Sequence, residues 1–150
     1  MNITIRKLQD SDIEPLSRIE AASFSMPWSA QDFRDLLFRE YCFYLVALME
    51  DEVVGCAGLT NICSEGNIDN VVVAEGYRGQ GIAQTLIAEL LSQGEAMGIE
   101  AFTLEVRVSN APAIHVYEKA GFVSEGIRPR FYERPVEDAV IMWRHSSPVS

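Results

Sequence analysis

Cysteine, histidine and long apolar runs are all scarce in this chain. Its 150 residues include three cysteines and two histidines, and Cys42, Cys56 and Cys63 lack the spacing of metal ligands. Because they lie in strand-like, mostly apolar segments, we expect buried, reduced thiols; the alternative is a catalytic thiol, but neither histidine is near them in sequence. No apolar run approaches a membrane span, and residues 1–5 predict a strand rather than a signal peptide. We therefore expect a cytoplasmic protein with no metal site and no membrane partner.

Positive charge is scarce as well. The chain carries 12 lysines and arginines against 22 aspartates and glutamates, a formal net charge of −10. This balance disfavours DNA or RNA as the main partner, because nucleic acid phosphates attract basic surfaces. Two interpretations of the acidity remain open: it speeds the encounter with a basic protein or peptide substrate, or it only keeps the protein in solution.

Length and composition predict one domain. A chain of 150 residues with 48% apolar residues is long enough to bury a single core. We assign residues 1–145 to that domain and expect residues 146–150 to form a mobile tail. Apolar and β-branched patterns predict strands at residues 3–8, 41–49, 53–62, 68–73, 101–108, 122–127 and 139–144, a turn at 64–67 and an irregular loop at 128–138.

Helices are predicted between these strands. Capping boxes that begin at Ser11 and Ser29 mark the first two, and the third spans residues 82–97 and ends at Gly98 in a left-handed conformation. Asn110 caps the fourth. Because a strand, a helix and a strand in succession form a right-handed crossover, the strands that flank the third helix should be parallel. The predicted fold class is a mixed α/β (α+β) sheet, with antiparallel N-terminal strands and a parallel βαβ pair near its middle.

The most informative stretch is residues 70–86, where a β-branched run passes through a glycine-rich turn into a helix. Gly76, Gly79 and Gly81 allow backbone conformations that a Cβ forbids. The N–H groups of the first helical turn and the positive end of the helix dipole suit a phosphate or diphosphate, and Arg78 adds a permanent positive charge. The spacing matches neither a dinucleotide fingerprint nor a P-loop. The alternative is that the glycines serve only the tight turn; we favour a phosphate-bearing ligand.

Residues 78–83 (RGQGIA) resemble the acetyl-coenzyme A signature, Arg/Gln-x-x-Gly-x-Gly/Ala, of the GCN5-related N-acetyltransferase (GNAT) superfamily. The resemblance continues through residues 104–110 (LEVRVSN), 117–122 (YEKAGF) and 137–142 (EDAVIM), and it covers nearly the whole chain. With residues 27–29 (PWS) upstream, the set is similar to the ribosomal protein alanine N-acetyltransferase branch. The glycine signature alone identifies only the superfamily.

The resemblance implies acetyl-coenzyme A (acetyl-CoA) as the cosubstrate. It places the main chain of Val71, Val72 and Val73 against the pantetheine arm, where one amide polarises the thioester carbonyl. Asn110 is expected to contact the coenzyme and to cap its helix. The expected diphosphate site comprises Arg78, Gly79, Gln80, Gly81, Ile82, Ala83 and Gln84.

Glu105 and Tyr117 are the candidate catalytic residues. Strand alternation places Glu105 and Arg107 on one face, where an unpaired buried charge is costly. Either they pair with each other or with a partner elsewhere, or Glu105 faces a cleft; the resemblance makes Glu105 the general base. An α-amino group has a pKa of about 7.7–8.0, so a base must accept its proton. Tyr117 either packs in the core or, as the resemblance implies, contacts the coenzyme and protonates the departing thiolate.

Three residues form the predicted acceptor site. Trp28 lies in an apolar stretch between the first two helices, which is either a hydrophobic plug or, as the resemblance implies, one wall of a peptide groove. Arg107 and Tyr132 complete the set. The family branch often has adjacent tyrosines before the last strand, whereas Phe131 precedes Tyr132 here, so one hydroxyl is absent.

The resemblance implies transfer of an acetyl group from acetyl-CoA to the α-amino group of a protein. The expected acceptor is the N-terminal alanine of a ribosomal protein. Two alternatives remain. One is an acetyltransferase of a small amine, such as a polyamine or an aminoglycoside; the other is a coenzyme A-binding module without turnover, against which the presence of both Glu105 and Tyr117 argues.

Overall fold

A computed structural model describes residues 2–145, which form one seven-stranded mixed sheet with helices on both faces. The strands are β1 (Ile3–Lys7), β2 (Cys42–Met49), β3 (Glu52–Ile62), β4 (Glu65–Val73), β5 (Ala101–Arg107), β6 (Val123–Tyr132) and β7 (Glu137–His145). The helices are α1 (Ile13–Ser23), α2 (Ala30–Leu36), α3 (Ile82–Ala96) and α4 (Ala111–Lys119). No helix within residues 2–145 combines the length and the apolar character that a membrane crossing requires.

The strand order is β1-β2-β3-β4-β5-β7-β6. Strands β4 and β5 pair in parallel, and the other neighbouring pairs are antiparallel. The predicted fold class, with its parallel pair near the middle of the sheet, is therefore confirmed. Helix α3 forms the crossover between β4 and β5, and Gly98 follows it with a φ of +92°, as predicted.

Two hydrophobic cores lie on opposite faces of the sheet because side chains alternate along each strand. In β2, Leu45 and Ala47 join the core under α3, whereas Tyr44, Val46 and Leu48 join the core under α1 and α2. Helix α3 buries an apolar stripe with helical spacing: Ile82, Leu86, Ile87, Leu90 and Leu91. The sheet is thus held between two helical layers.

The sheet opens between β4 and β5. Residues 65–67 of β4 pair with residues 101–103 of β5; beyond them β4 pairs with β3 alone and β5 with β7 alone. The divergence begins at a bulge, because Gly58 pairs with Asn70 and Leu59 with Ile68, which leaves Asp69 without an opposite residue. The result is a wedge-shaped gap bordered by two strand edges that do not pair with each other.

Two predicted turns were wrong. Strand β4 already begins at Glu65, because Cys63 and Ser64 make the turn with φ values of 52° and 64°. Strand β6 continues to Tyr132, with a register shift in its pairing after Arg128, so the loop before β7 covers only residues 133–136.

Among the other local predictions, some are confirmed and some are wrong. The capping box at Ser29 is confirmed, since the Asp32 N–H donates to Ser29 Oγ at 3.1 Å. The box at Ser11 is wrong: Ser11 lies inside a 3-10 turn (Asp10–Asp12), and α1 begins only at Ile13, after Asp12, whose side chain pairs with Arg6 at 2.8 Å instead of capping the helix. Among the cysteines Cys56 is buried and Cys42 partly so, but Cys63 is exposed and the prediction for it was wrong. The predicted mobile tail lies outside the described residues.

Candidate active site

The gap between β4 and β5 opens into a cavity of about 870 Å³, which we call the central cavity. Five parts of the chain form its walls: β4, β5, the start of α4, the segment that follows α1 and the segment that follows β6. The predicted site residues that line it are Trp28, Val71, Glu105, Arg107, Asn110, Tyr117 and Tyr132. The structure thus brings the candidate base, the candidate acid and both predicted ligand walls to one place.

A second, smaller cavity of about 430 Å³ borders the same gap, and we call it the side cavity. It shares Trp28, Asp69, Glu105 and Tyr132 with the central cavity, and Tyr41 also lines it. Glu105 therefore borders both spaces. A carboxylate in this position can meet two ligands that enter from different directions.

Glu105 faces these cavities with its side chain 20% exposed. Its ion-pair neighbour is Arg128, whose Nη1 lies 3.9 Å from Glu105 Oε2. Arg107, on the same face of β5, pairs elsewhere, so the two residues do not neutralise each other. The loose contact leaves Glu105 accessible as a proton acceptor.

Arg107 is bound to the loop between β6 and β7. Its Nη1 lies 3.2 Å from Glu137 Oε1, and its guanidinium donates to the main-chain oxygens of Pro135 and Glu133, each at 3.0 Å. The guanidinium also lies over the Tyr132 ring, 4.4 Å from its centroid. Arg107 therefore fixes the loop that closes the cavity, besides bordering the cavity itself.

Tyr117 both packs and faces the cavity, so the two interpretations of this residue are compatible. Its ring makes an edge-on contact with Phe122, with centroids 5.9 Å apart, and its side chain lines the central cavity. Burial raises the pKa of Tyr117, and Tyr132 adds to the effect. Burial, and then Glu105, raise the pKa of Tyr132 to about 12. Both phenols are therefore protonated at neutral pH, which is the form that a general acid needs.

The glycine-rich turn before α3 exposes main chain rather than a free guanidinium. Gly79 and Gly81 have φ values of 78° and 80°, which L side chains rarely adopt. No side chain caps the first turn of α3, so its N–H groups point outward from the helix start. Arg78 turns back, donating from Nε to the Val73 oxygen and from Nη2 to Ser23 Oγ, each at 3.0 Å.

The remaining predicted coenzyme residues do not all lie at the central cavity. Val72 is buried in the core under α1 and α2, so only its main chain can face a ligand. Gln80 is exposed on the turn, and Gln84 lines a groove between α3 and α4 that does not include the catalytic candidates. Asn110 caps α4 as predicted, since its Oδ1 accepts from the Ala113 N–H at 3.2 Å.

Sequence reasoning missed two carboxylates in the cavity walls. Glu20 of α1 is 2% exposed and lines the central cavity; its position four residues after Leu16, in the apolar stripe of α1, was the available signal. Asp69, at the bulge of β4, lines both cavities and accepts hydrogen bonds from Thr60 at 2.6 Å and Asn67 at 2.8 Å.

Comparisons with known proteins agree on one family. The Acetyltransferase (GNAT) family model matches residues 13–122. A Bacillus subtilis protein is 35% identical over 140 residues, which is 93% of each chain. The [ribosomal protein bS18]-alanine N-acetyltransferase of Escherichia coli is 31% identical over 142 residues, 93% of this chain and 95% of that one.

Solved structures give the same result. The crystal structure of the ribosomal-protein-S18-alanine N-acetyltransferase from Escherichia coli has a TM-score of 0.91 at 29% identity, and the match covers 99% of this chain and 97% of that one. Ard1 from Thermoplasma volcanium has a TM-score of 0.90 at 28% identity, over 99% of this chain and 100% of that one.

The fold and the family match define the class of protein as an enzyme that transfers an acyl group. This chain belongs to the GNAT family of acetyltransferases. It is an acetyl-CoA-dependent N-acetyltransferase, as the sequence predicted.

Proposed function

We propose that this enzyme acetylates the α-amino group of a protein, with the N-terminal alanine of a ribosomal protein as its acceptor. The observation that carries the proposal is the position of Glu105 on both cavities of one cleft. The Escherichia coli relative named for this activity matches almost end to end, which supports the choice of acceptor.

The donor side of the cleft is the edge of β4 and the turn before α3. Beyond residue 67 the edge of β4 that faces β5 has no strand partner, so its main-chain groups can pair with the pantetheine amides as an added strand would. The N–H groups from Gly79 to Ala83 hold the diphosphate in this proposal, because a helix start attracts negative charge. Arg78 contributes by holding the turn to β4 and α1.

Glu105 is the proposed general base. The acceptor arrives largely as an ammonium ion, because the pKa of an α-amino group is about 7.7–8.0. Glu105 takes a proton from it, directly or through a water molecule, and the amine nitrogen then forms a bond to the thioester carbonyl carbon. A main-chain N–H of residues 71–73 stabilises the negative charge on the carbonyl oxygen.

Tyr117 is the proposed general acid. As the tetrahedral intermediate collapses, the carbon–sulfur bond breaks and the Tyr117 hydroxyl gives its proton to the leaving sulfur. The products are an N-acetylated chain and free coenzyme A. The nitrogen loses its second proton to solvent as the intermediate collapses, Tyr117 regains a proton from solvent, and Glu105 releases the one it took. One proton is therefore released overall for each ammonium ion that is acetylated.

The proposal is tested with purified enzyme, acetyl-CoA and a panel of acceptors. The panel holds ribosomal peptides that begin with alanine, the same peptides with a blocked N-terminus, a polyamine and an aminoglycoside. We expect thiol release with the free peptides, and mass spectrometry should place the acetyl group on their α-nitrogen. Faster transfer to the small amines would contradict the proposed acceptor.

The role of Glu105 is tested by Glu105→Gln, which keeps the shape of the side chain and removes the base. We expect kcat to fall by a factor of about 10²–10⁴, whereas the affinity for coenzyme A should not change comparably. The matched control is Glu125→Gln, because Glu125 is an exposed β6 glutamate whose polar neighbour is His145 at 3.3 Å. An equal effect of the two substitutions would remove Glu105 from the reaction.

A further inference from the structure

The buried carboxylate of Glu20 joins two segments that lie far apart in sequence. Its Oε1 accepts from the Trp28 N–H at 3.3 Å, and its Oε2 accepts from Asn70 Nδ2 at 3.1 Å. The side chain is 2% exposed, and burial raises its pKa. Within residues 2–145 no lysine or arginine forms an ion pair with it.

The two partners of Glu20 belong to different segments of the chain that line the central cavity. Trp28 ends the segment that follows α1, and its ring packs on Phe33 and Tyr44 at centroid distances of 5.4 and 5.8 Å. Asn70 lies between the bulge residue Asp69 and Val71, where β4 turns away from β5. Glu20 is therefore the hydrogen-bonding link between the proposed acceptor wall and the proposed donor strand.

We propose that Glu20 is a positioning residue that holds the acceptor wall at a fixed distance from the donor strand. The inference rests on the proposed function, because the spacing of these walls matters only if acceptor and acetyl-CoA meet between them. Glu20 acts through Trp28 and Asn70; neither the base nor the acid role is assigned to it. Misplacement by about 1 Å costs up to about a hundredfold in rate when two reactants must align.

The two hydrogen bonds of Glu20 allow its positioning role to be distinguished from an effect of its negative charge. Both partners of Glu20 are neutral N–H donors, so a glutamine can replace it: Oε1 still accepts from Trp28, and Nε2 donates to Asn70 after its amide turns over. An alanine leaves both donors without a partner. Glu20→Gln should therefore preserve the link that Glu20→Ala breaks.

The kinetic test compares Glu20→Gln, Glu20→Ala and Asn70→Ala with an alanine-initiated ribosomal peptide as acceptor. We expect Glu20→Ala to lower kcat/KM for the peptide by about tenfold to a hundredfold, mainly through kcat because the bound reactants are misaligned, while coenzyme A affinity stays unchanged. Asn70→Ala, which removes one contact, should give a smaller loss, and Glu20→Gln should stay near the unsubstituted enzyme. Glu14→Ala is the matched control, since Glu14 is an exposed α1 residue whose ion-pair partner is Arg18.

A second measurement does not depend on the acceptor. The chain has two tryptophans, so Trp143→Phe leaves Trp28 as the single emitter. In that background we expect Glu20→Ala to shift the Trp28 emission to longer wavelength, because the segment loses its tie to α1, whereas Glu20→Gln and Glu14→Ala leave it in place.

Three results would overturn the inference. A folded Glu20→Ala enzyme with a lower melting temperature but unchanged kinetic constants would make Glu20 merely structural. Equal losses in Glu20→Gln and Glu20→Ala would show that the charge matters and the hydrogen bonds do not. An unchanged Trp28 emission in Glu20→Ala would show that the segment needs no tie. If no peptide is acetylated by the unsubstituted enzyme, the proposed function fails, and the emission still decides whether the link exists.

Discussion

Tyr117 shows how one side chain serves packing and chemistry together. Its ring contacts Phe122, while the raised pKa keeps its hydroxyl protonated. Because phenylalanine keeps the ring and removes the proton donor, we expect Tyr117→Phe to lower kcat by about 10²–10⁴ and to affect coenzyme A binding far less. Steady-state kinetics and a coenzyme A titration measure the two effects. Unchanged turnover would leave Tyr117 with a packing role alone.

Glu20 also gives a prediction about stability and pH. Burial raises its pKa above the ordinary value of 4.5, so the folded state binds its proton more tightly than the unfolded state. The contribution of Glu20 to the free energy of unfolding is therefore largest at pH values below its pKa in the unfolded state. That contribution is lost as pH rises through its pKa in the folded state. Glu20→Gln removes that dependence. We expect the variant to gain melting temperature relative to the unsubstituted protein as pH rises from about 4 to 7; a constant difference would contradict the raised pKa.

At the residue scale, the sequence predicts the residues that local pattern defines. Alternation along β5 and the Tyr-x-x-x-Gly-Phe context, together with the family resemblance, singled out Glu105 and Tyr117, which do line one cavity. The sequence could not predict the hydrogen-bonding partners of Glu20 and Arg107, because tertiary packing determines them. Asn70 is 50 residues from Glu20, and Glu137 is 30 residues from Arg107.

The turn before α3 gives a prediction at the scale of the element. Gly81 precedes the helix with a φ of +80°, and among residues 2–145 no heavy atom lies within 4 Å of the space that a Cβ would occupy. A side chain there costs about 1–2 kcal/mol of backbone strain, so Gly81→Ala should lower the free energy of unfolding by that amount or distort the turn. Distortion of the turn should raise the KM for acetyl-CoA, because the proposed diphosphate site is the main chain of this turn.

Gly76→Ala is the matched control for that substitution. Gly76 has equally open surroundings but is not among the glycines with positive φ, so an alanine fits its backbone. Thermal unfolding and a coenzyme A titration should separate the two variants. Equal behaviour would mean that the left-handed conformation at Gly81 is not needed.

Prediction of the elements succeeded where burial leaves a pattern and failed where it does not. The stripe of α3 and the box at Ser29 are local signals, and both were correct. Strand β6 is exposed along most of its length, so no alternation marks its extension through Arg128 to Tyr132. The turn at Cys63 and Ser64 has neither glycine nor asparagine at its left-handed positions, and these are the residues that turn signals depend on.

For the whole molecule, the net charge of −10 leads to a prediction about association. If the acidity attracts a basic substrate, kcat/KM for a basic acceptor peptide should fall as salt rises, because surface charges are screened beyond about 10 Å at 0.1 M ionic strength. A peptide with the same first residues and a neutral remainder should show little change. Equal salt dependence for the two peptides would favour the interpretation that the acidity serves solubility alone.

The parting of β4 from β5 has a consequence for how such an enzyme changes over evolution. In the proposed arrangement the donor is held by main-chain amides along a strand edge and a turn, so apart from the glycines of the turn the binding depends little on side-chain identity. Substitutions of the side chains that face the gap can then change the acceptor site without weakening the binding of the donor. A new acceptor specificity can therefore evolve through single substitutions, and the enzyme remains active after each of them.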